Sequence, residues 1–278
     1  MTGLKVRIDA AGSCLHPEHV VLRSGSLWPM RFPAIYAVLE HPTRGLTLFD
    51  TGYGTSFFEA TRTFPECLYR LVTPVDFDPQ QTAKARLEQR GARVEDVRRV
   101  VISHFHADHI AALRDFPKAK FVFLPEAWEM LRHRSRWSLL LRAFLPALLP
   151  DDFADRIAPL GGSLRPLPDT CAPFNHGFDL FSDGTVYAVP LPGHADGQLG
   201  LYCEAEDGPV FLVADACYTS RSFREAIVPH PIAGLIVDDR KEYRRTLGKI
   251  HALHERDPDL RIVPSHCTEA LHAAGCSS

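Results

Sequence analysis

No stretch of this 278-residue chain stays apolar long enough to cross a bilayer. The longest candidate, residues 139–150, is broken by Arg142 and Pro146 and falls short of the ~20 residues that a spanning helix needs. An excess of charge is missing too: 31 lysines and arginines stand against 34 aspartates and glutamates, a formal balance of -3. That balance offers no basic footprint for nucleic acid. The seven cysteines (Cys14, Cys67, Cys171, Cys203, Cys217, Cys267, Cys276) are scattered, odd in number and free of any Cys-x-x-Cys pair. They fit a reducing compartment and not a disulfide framework. Residues 1–9 alternate like a strand, with no unbroken apolar run and no small-residue cleavage site, so nothing marks the chain for export. These absences lead us to expect a cytoplasmic protein with a small-molecule substrate, no nucleic-acid partner and no transmembrane segment. What is present is core material, with 45% hydrophobic and 23% charged side chains, which excludes fibrous and wholly disordered chains.

No repeat and no low-complexity linker interrupts the sequence, so residues 1–278 are expected to form a single domain. Strand-type runs fall at 4–8, 35–40 and 46–49, the last two separated by the turn His41-Pro42-Thr43-Arg44-Gly45. A helix is expected over 80–89, after Asp78-Pro79 and before Gly91. A buried strand follows at 100–102, then a strand at 121–124 and a helix at 125–134. Residues 186–191, 199–203 and 210–214 read as a meander, followed by a helix at 241–255 and a strand at 261–263. Interleaved strands and helices imply an α/β fold with helices covering sheets. A Leu- and Arg-rich helical insert around 128–160 carries Trp137, Leu141, Phe144 and Leu148 at helical spacing, and so wide an apolar surface needs a cover. The chain's own core or a second copy, as in a homodimer, would supply it. Arg132, Arg134, Arg136 and Arg142 are not segregated to one face, which argues against a membrane-surface helix.

One hexapeptide outweighs everything else: His104-Phe105-His106-Ala107-Asp108-His109, directly after the apolar run 100–102. In extended backbone, alternate side chains share a side, so His104 and His106 can bind one ion. A turn into a helix at Asp108 would send Asp108 and His109 toward a second. Zinc is the leading candidate, and iron, manganese or cobalt would accept the same donors. Further donors stand where apolar runs end: His194 after 189–193, Asp215 after 210–214, and His266 after 262–265. An aspartate that closes a five-residue apolar strand is costly to bury alone, and a cation is its natural companion. His16, His19, His133, His176, His230, His251, His254 and His272 lack such context, and Cys217 and Cys267 read as small buried filler.

Phe49-Asp50-Thr51-Gly52, the His104–His109 box, Pro192-Gly193-His194, Ala214-Asp215 and Ser265-His266 together resemble, in order, the motifs of the metallo-β-lactamase superfamily of binuclear hydrolases. The resemblance spans residues 49–266 and implies a four-layer αββα sandwich. It assigns His104, His106 and His194 to one metal and Asp108, His109 and His266 to the other, with Asp215 bridging both and Asp50 steadying a ligand histidine. Where many relatives have threonine after the third-motif histidine and a second histidine further on, this chain has Ala195 and Gln198, a difference expected to alter the support of the site and not its metal count. Two such ions would make hydroxide available near neutral pH and polarise a carbonyl or phosphoryl oxygen.

Tyr218, three residues after Asp215, resembles the tyrosine by which N-acyl homoserine lactone lactonases contact the substrate carbonyl or the leaving oxygen. Core packing is its alternative role. Asp108 is a candidate for relaying a proton to the leaving alkoxide. The expected function is lactone opening by attack of a metal-bridging hydroxide, with N-acyl homoserine lactones as leading substrates. Hydrolysis of another ester, a thioester or a phosphodiester is the alternative, and a non-catalytic metal-bearing binding protein is a reading from another class. An acidic bridge argues against a true β-lactamase. With only residues 267–278 after His266, the C-terminal substrate domain of glyoxalase II is not expected here. Phe105, Trp137, Phe144 and Leu148 are candidate pocket residues, with core packing as the alternative for each.

Overall fold

The computed structural model describes residues 3–160, 164–231 and 236–276. Seven strands make one sheet: β1 (Lys5–Pro17), β2 (Pro29–His41), β3 (Gly45–Phe49), β4 (Val75–Asp76), β5 (Val97–Val101), β6 (Lys120–Phe123) and β7 (Ile157–Pro159). Six make the other: β8 (Arg165–Pro166), β9 (His176–Asp179), β10 (Val186–Pro190), β11 (Leu199–Ala205), β12 (Gly208–Ala214) and β13 (Arg261–Pro264). The strand orders are β4-β1-β2-β3-β5-β6-β7 and β13-β12-β11-β10-β9-β8.

Strand alternation produces the layers. Along β2, Ile35 and Ala37 point between the sheets, where they meet Phe49, Val101 and Val122 of their own sheet and Val186, Leu201 and Leu212 of the other. Tyr36 and Val38 point the opposite way, into a second core roofed by Phe57, Leu87, Ile110 and Leu113. On the far side, Val189, Tyr202, Phe211 and Val213 pack under Leu247, Ile250 and Leu253 of the helix Arg240–Arg256. Helices thus cover both outer faces, and the αββα sandwich expected from the motifs is the architecture observed. Among the described residues, no helix is long and apolar enough to cross a membrane.

Several boundaries differ from the sequence reading. The first strand runs on to Pro17 because a bulge between Ala10 and Ser13, with Gly12 at φ +75°, breaks the alternation without ending the pairing. The helix expected over 80–89 divides into a 3-10 turn Pro79–Gln81, capped by the Asp78 side chain, and an α-helix Ala83–Gln89, capped by Thr82 Oγ1. Two cap residues four positions apart each start their own turn. The helix expected to reach Arg134 stops at Glu129, since Arg132, His133 and Arg134 bring no apolar face to bury. The insert forms only one short helix, Arg136–Leu141, before Pro146 opens a 3-10 turn. Its Leu139, Phe144, Leu145 and Leu148 complete the outer core of the first sheet.

Candidate metal centre

β3, β5 and β6 are parallel, β12 and β13 are parallel, and the meander makes β10 run with β12. The carboxyl ends of β3, β5, β10, β12 and β13 therefore gather at one edge of the sandwich, where loops can converge on a ligand. Backbone bonds lace the two sheets together there: Ile35 N donates to Ser265 O and Leu199 N to Ser103 O. Asp50 and Ala214, at the ends of β3 and β12, both have φ in the left-handed region, 58° and 48°. Aspartate tolerates this conformation, whereas for alanine it costs about 1–2 kcal/mol, a strain held in place by the site that it shapes. The turn after Ala214 is what delivers Asp215 to the edge.

All seven predicted donors meet at that edge. One atom each from His104, His106, His194 and Asp215 falls within a 4.8 Å cluster, and the same is true of Asp108, His109 and His266. His194 Nε2 lies 3.0 Å from His106 Nδ1 and 3.4 Å from Asp215 Oδ2. Across the centre, His266 Nε2 is 3.2 Å from Asp215 Oδ2 and 3.4 Å from Asp108 Oδ2, and His109 Nε2 is 3.5 Å from both Asp215 Oδ1 and Asp108 Oδ2. Asp215 faces both groups. His104 Nε2, His109 Nε2 and Asp215 Oδ1 are buried with no hydrogen-bond partner among the described residues. Buried polar atoms are costly to leave unsatisfied, and imidazole and carboxylate are the donors that divalent transition metals accept, so the residues present fit a metal site.

Electrostatics agree with that fit. Burial pushes the imidazoles of His104, His106 and His194 down from their ordinary range, which keeps them neutral with a lone pair free. Burial alone would raise Asp215, but facing His266 and His109 overrides it and holds the carboxyl well below its usual range. Burial would lower His109, yet Asp108, Asp50 and Asp215 together raise it.

A second ring of contacts orients the donors. Asp50 Oδ2 is 2.7 Å from His109 Nδ1 and also accepts from Ser103 Oγ at 2.7 Å, while Asp50 Oδ1 accepts from Ser103 N at 2.8 Å. Ser103 Oγ is 3.0 Å from His104 Nδ1, and Pro33 O is 2.9 Å from His266 Nδ1. Such partners fix ring orientation and which nitrogen keeps its proton. Asp50→Asn keeps the shape but turns an amide toward the imidazole, so metal affinity is expected to fall about 10- to 100-fold. Competition with a chromophoric chelator measures it, and unchanged affinity would remove Asp50 from this role.

Sequence reasoning missed several supports. Ser103 was visible only as a hydroxyl closing an apolar strand. His16, read as lacking ligand-like context, lies in the field of the centre: burial lowers its imidazole, as does facing His266. Arg142 clasps Asp238 and reaches Asp196, whose N–H donates to Asp238 Oδ2, while Asp238 N donates to His194 O. Ala107 N donates to Ala143 O, so the insert holds the histidine box by its backbone as well. Gln198, the one of these positions singled out from the sequence as a support, donates from Nε2 to Leu191 O and closes the His194 loop.

Of the four candidate pocket residues, Phe105 and Phe144 are buried in the outer core of the first sheet and only back a small cleft beside His106 that Arg142, Asp196 and Asp238 also line. Leu148 is fully buried in the core. Trp137 lies outside the cleft, 50% exposed, with its ring 5.6 Å from Phe64. The Tyr218 hydroxyl stands 3.1 Å from His194 Nδ1, and burial raises its pKa well above the ordinary range, so it remains a neutral hydroxyl.

Helices flanking two sheets, with imidazoles and carboxylates collected at the strand ends, define a metallo-hydrolase architecture. The family model described as the metallo-beta-lactamase superfamily matches residues 31–266, and the chain belongs to that superfamily. The probable metallo-hydrolase Rv2300c of Mycobacterium tuberculosis is 31% identical over 252 residues, covering 83% of this chain and 74% of its own. The N-acyl homoserine lactonase AttM of Azorhizobium caulinodans is 26% identical over 280 residues, covering 97% of this chain and 95% of its own. A solved N-acyl homoserine lactone hydrolase, with the product N-hexanoyl-L-homoserine at its catalytic metal centre, shares the fold. Its TM-score is 0.71 at 19% identity, and the match covers 100% of this chain and 98% of that one.

Proposed function

We propose that this metallo-hydrolase is a dinuclear lactonase that opens N-acyl homoserine lactones. The observation that carries the reading is the meeting of seven buried or nearly buried donors in two groups, with the Asp215 carboxylate of the first also facing His109 and His266 of the second. His104, His106 and His194 would hold one cation, Asp108, His109 and His266 the other, with Asp215 between them. Two divalent cations, zinc first among the candidates, would supply activated water at neutral pH and polarise the lactone carbonyl.

The chain's own groups do the rest. With His194 Nε2 turned to the metal side, its Nδ1–H donates to the Tyr218 oxygen and leaves the tyrosine proton free for a substrate oxygen. Asp108, on the exposed side of the centre, is placed to carry a proton to the leaving alkoxide. The lactonases among the relatives support this substrate class, and their modest identity leaves esters, thioesters and phosphodiesters as the alternative on the same site.

Tyr218→Phe removes one hydroxyl and no metal donor. Metal content is expected to stay at the wild-type level while kcat falls about 10- to 100-fold, toward the lower end of what a proton donor contributes. Loss of metal in this variant would contradict the assignment. The function itself is tested by incubating metal-loaded protein with lactones of graded acyl length and following acid release. Ring opening of at least one is expected. None opened, with an ester or phosphodiester cleaved, would reject the lactonase and keep the hydrolase.

A further inference from the structure

Two short helices turn apolar sides away from the core. In the helix Cys67–Val72, Tyr69 packs inward, its ring 5.8 Å from that of the buried Phe57, while Leu68, Leu71 and Val72 share an outward side at helical spacing, Leu71 being 75% exposed. In the helix Arg136–Leu141, Leu139 is buried, whereas Trp137 and Leu141, one turn apart, face outward, Leu141 73% exposed. Phe64 joins the two. It is 65% exposed, its ring stands 5.6 Å from that of Trp137, and Arg136 reaches across to donate to Phe64 O at 3.1 Å and to Glu66 Oε1 at 2.6 Å. So many large apolar side chains gathered outside a fold mark a docking surface.

Charge decides what docks there. The segments 62–72 and 130–142 hold six arginines, Arg62, Arg70, Arg132, Arg134, Arg136 and Arg142, and no lysine, against a single acid, Glu66, which is spent on Arg136. Glu129 and Asp238, outside these segments, hold Arg132 and Arg142. Arg70 rests over the Phe58 ring and Arg134 donates to Met130 O, so neither meets a carboxylate among the described residues. A second copy of the chain would set these arginines against their own kind across a two-fold axis, where like charges repel. An anionic bilayer answers both halves of the pattern, since apolar side chains enter the acyl boundary and basic ones meet lipid phosphates. The arginines are not segregated along one helix, but the fold does not make one helix of them: it assembles the face from two.

We propose that this face docks the protein on an anionic lipid surface, with Phe64, Leu71, Val72 and Trp137 inserted and Arg62, Arg70 and Arg134 at the headgroups. Arg142, directly after Leu141, lines the small cleft beside His106, so docking brings that edge of the metal centre to the bilayer.

The test is co-sedimentation of metal-loaded protein with vesicles of phosphatidylcholine alone and of phosphatidylcholine mixed with phosphatidylglycerol, at low and high salt. Partition onto the anionic vesicles is expected to be at least about tenfold stronger at low salt and to fall as salt rises. Leu71→Glu, at an exposed position, should keep the wild-type circular dichroism and metal content and weaken that partition about tenfold or more. Leu27→Glu, at an exposed apolar position outside the face, should leave it unchanged. Wild-type protein that ignores anionic vesicles, or binds both kinds equally, overturns the proposal. So does equal weakening by the two variants, which would put the contact elsewhere. A dimer in analytical ultracentrifugation that Leu71→Glu dissociates, with no vesicle binding by the wild type, would assign the face to a second copy and overturn it too. Vesicle binding needs no substrate, so its failure leaves the hydrolase reading intact.

Discussion

Replacing Asp215 by alanine is expected to reduce bound metal below two ions per chain and to lower hydrolysis more than about a hundredfold, beyond the loss that an outer-ring partner produces. Asp215 is the only carboxylate within 3.5 Å of imidazoles from both donor groups among the described residues, reaching His194 and His266 through Oδ2 and His109 through Oδ1. Its removal leaves five buried imidazoles crowded together without the charge of the carboxylate that faces both groups. His104 and His109 already stand 4.1 Å apart between ring centroids, and His106 and His194 4.7 Å. The comparison with Tyr218→Phe is diagnostic, because the two side chains sit on opposite edges of His194 and only one of them can ligate. Elemental analysis of both variants, beside their rates, checks the division. Equal loss of metal from the two would contradict it.

Gly193→Ala is expected to destabilise the fold by about 3 kcal/mol, the sum of backbone strain and overpacking, and to abolish ordered metal binding. Gly193 has φ +129°, and a Cβ there would stand 2.1 Å from Tyr243 N and 2.3 Å from Tyr243 Cα. Backbone, unlike the far end of a flexible side chain, cannot step aside. Either the helix Arg240–Arg256 lifts from the second sheet or the loop withdraws His194 from the centre. The contact is reinforced by Asp239 N donating to Gly193 O and Thr246 Oγ1 to Pro192 O. Urea denaturation and metal titration measure the two effects. A variant with wild-type stability and metal affinity would show that the helix tolerates displacement.

The clustered imidazoles and carboxylates were legible in the sequence because each set follows the end of an apolar strand. Val100, Val101 and Ile102 precede the box, and Val210 to Ala214 precede Asp215, so the one-dimensional pattern already placed carboxylate and imidazole at strand ends. The groups that steady them were harder to read. Ser103 matters only because β3 runs beside β5 and brings Asp50 to it. The Arg142 clasp joins residues 96 positions apart, and neither partner is marked by composition. Trp137 misled for a physical reason: helical spacing identifies a face but not what covers it, and its face turned to Phe64 and solvent. Gln198, expected to alter the support of the site, closes the loop that carries His194.

Anomalous diffraction from a crystal of the zinc-loaded protein tests most directly whether two cations share Asp215. Two peaks are expected, one among His104, His106 and His194 and the other among Asp108, His109 and His266, both within bonding distance of Asp215. No peak at these residues, or a single one that leaves either triad without metal, would contradict the account.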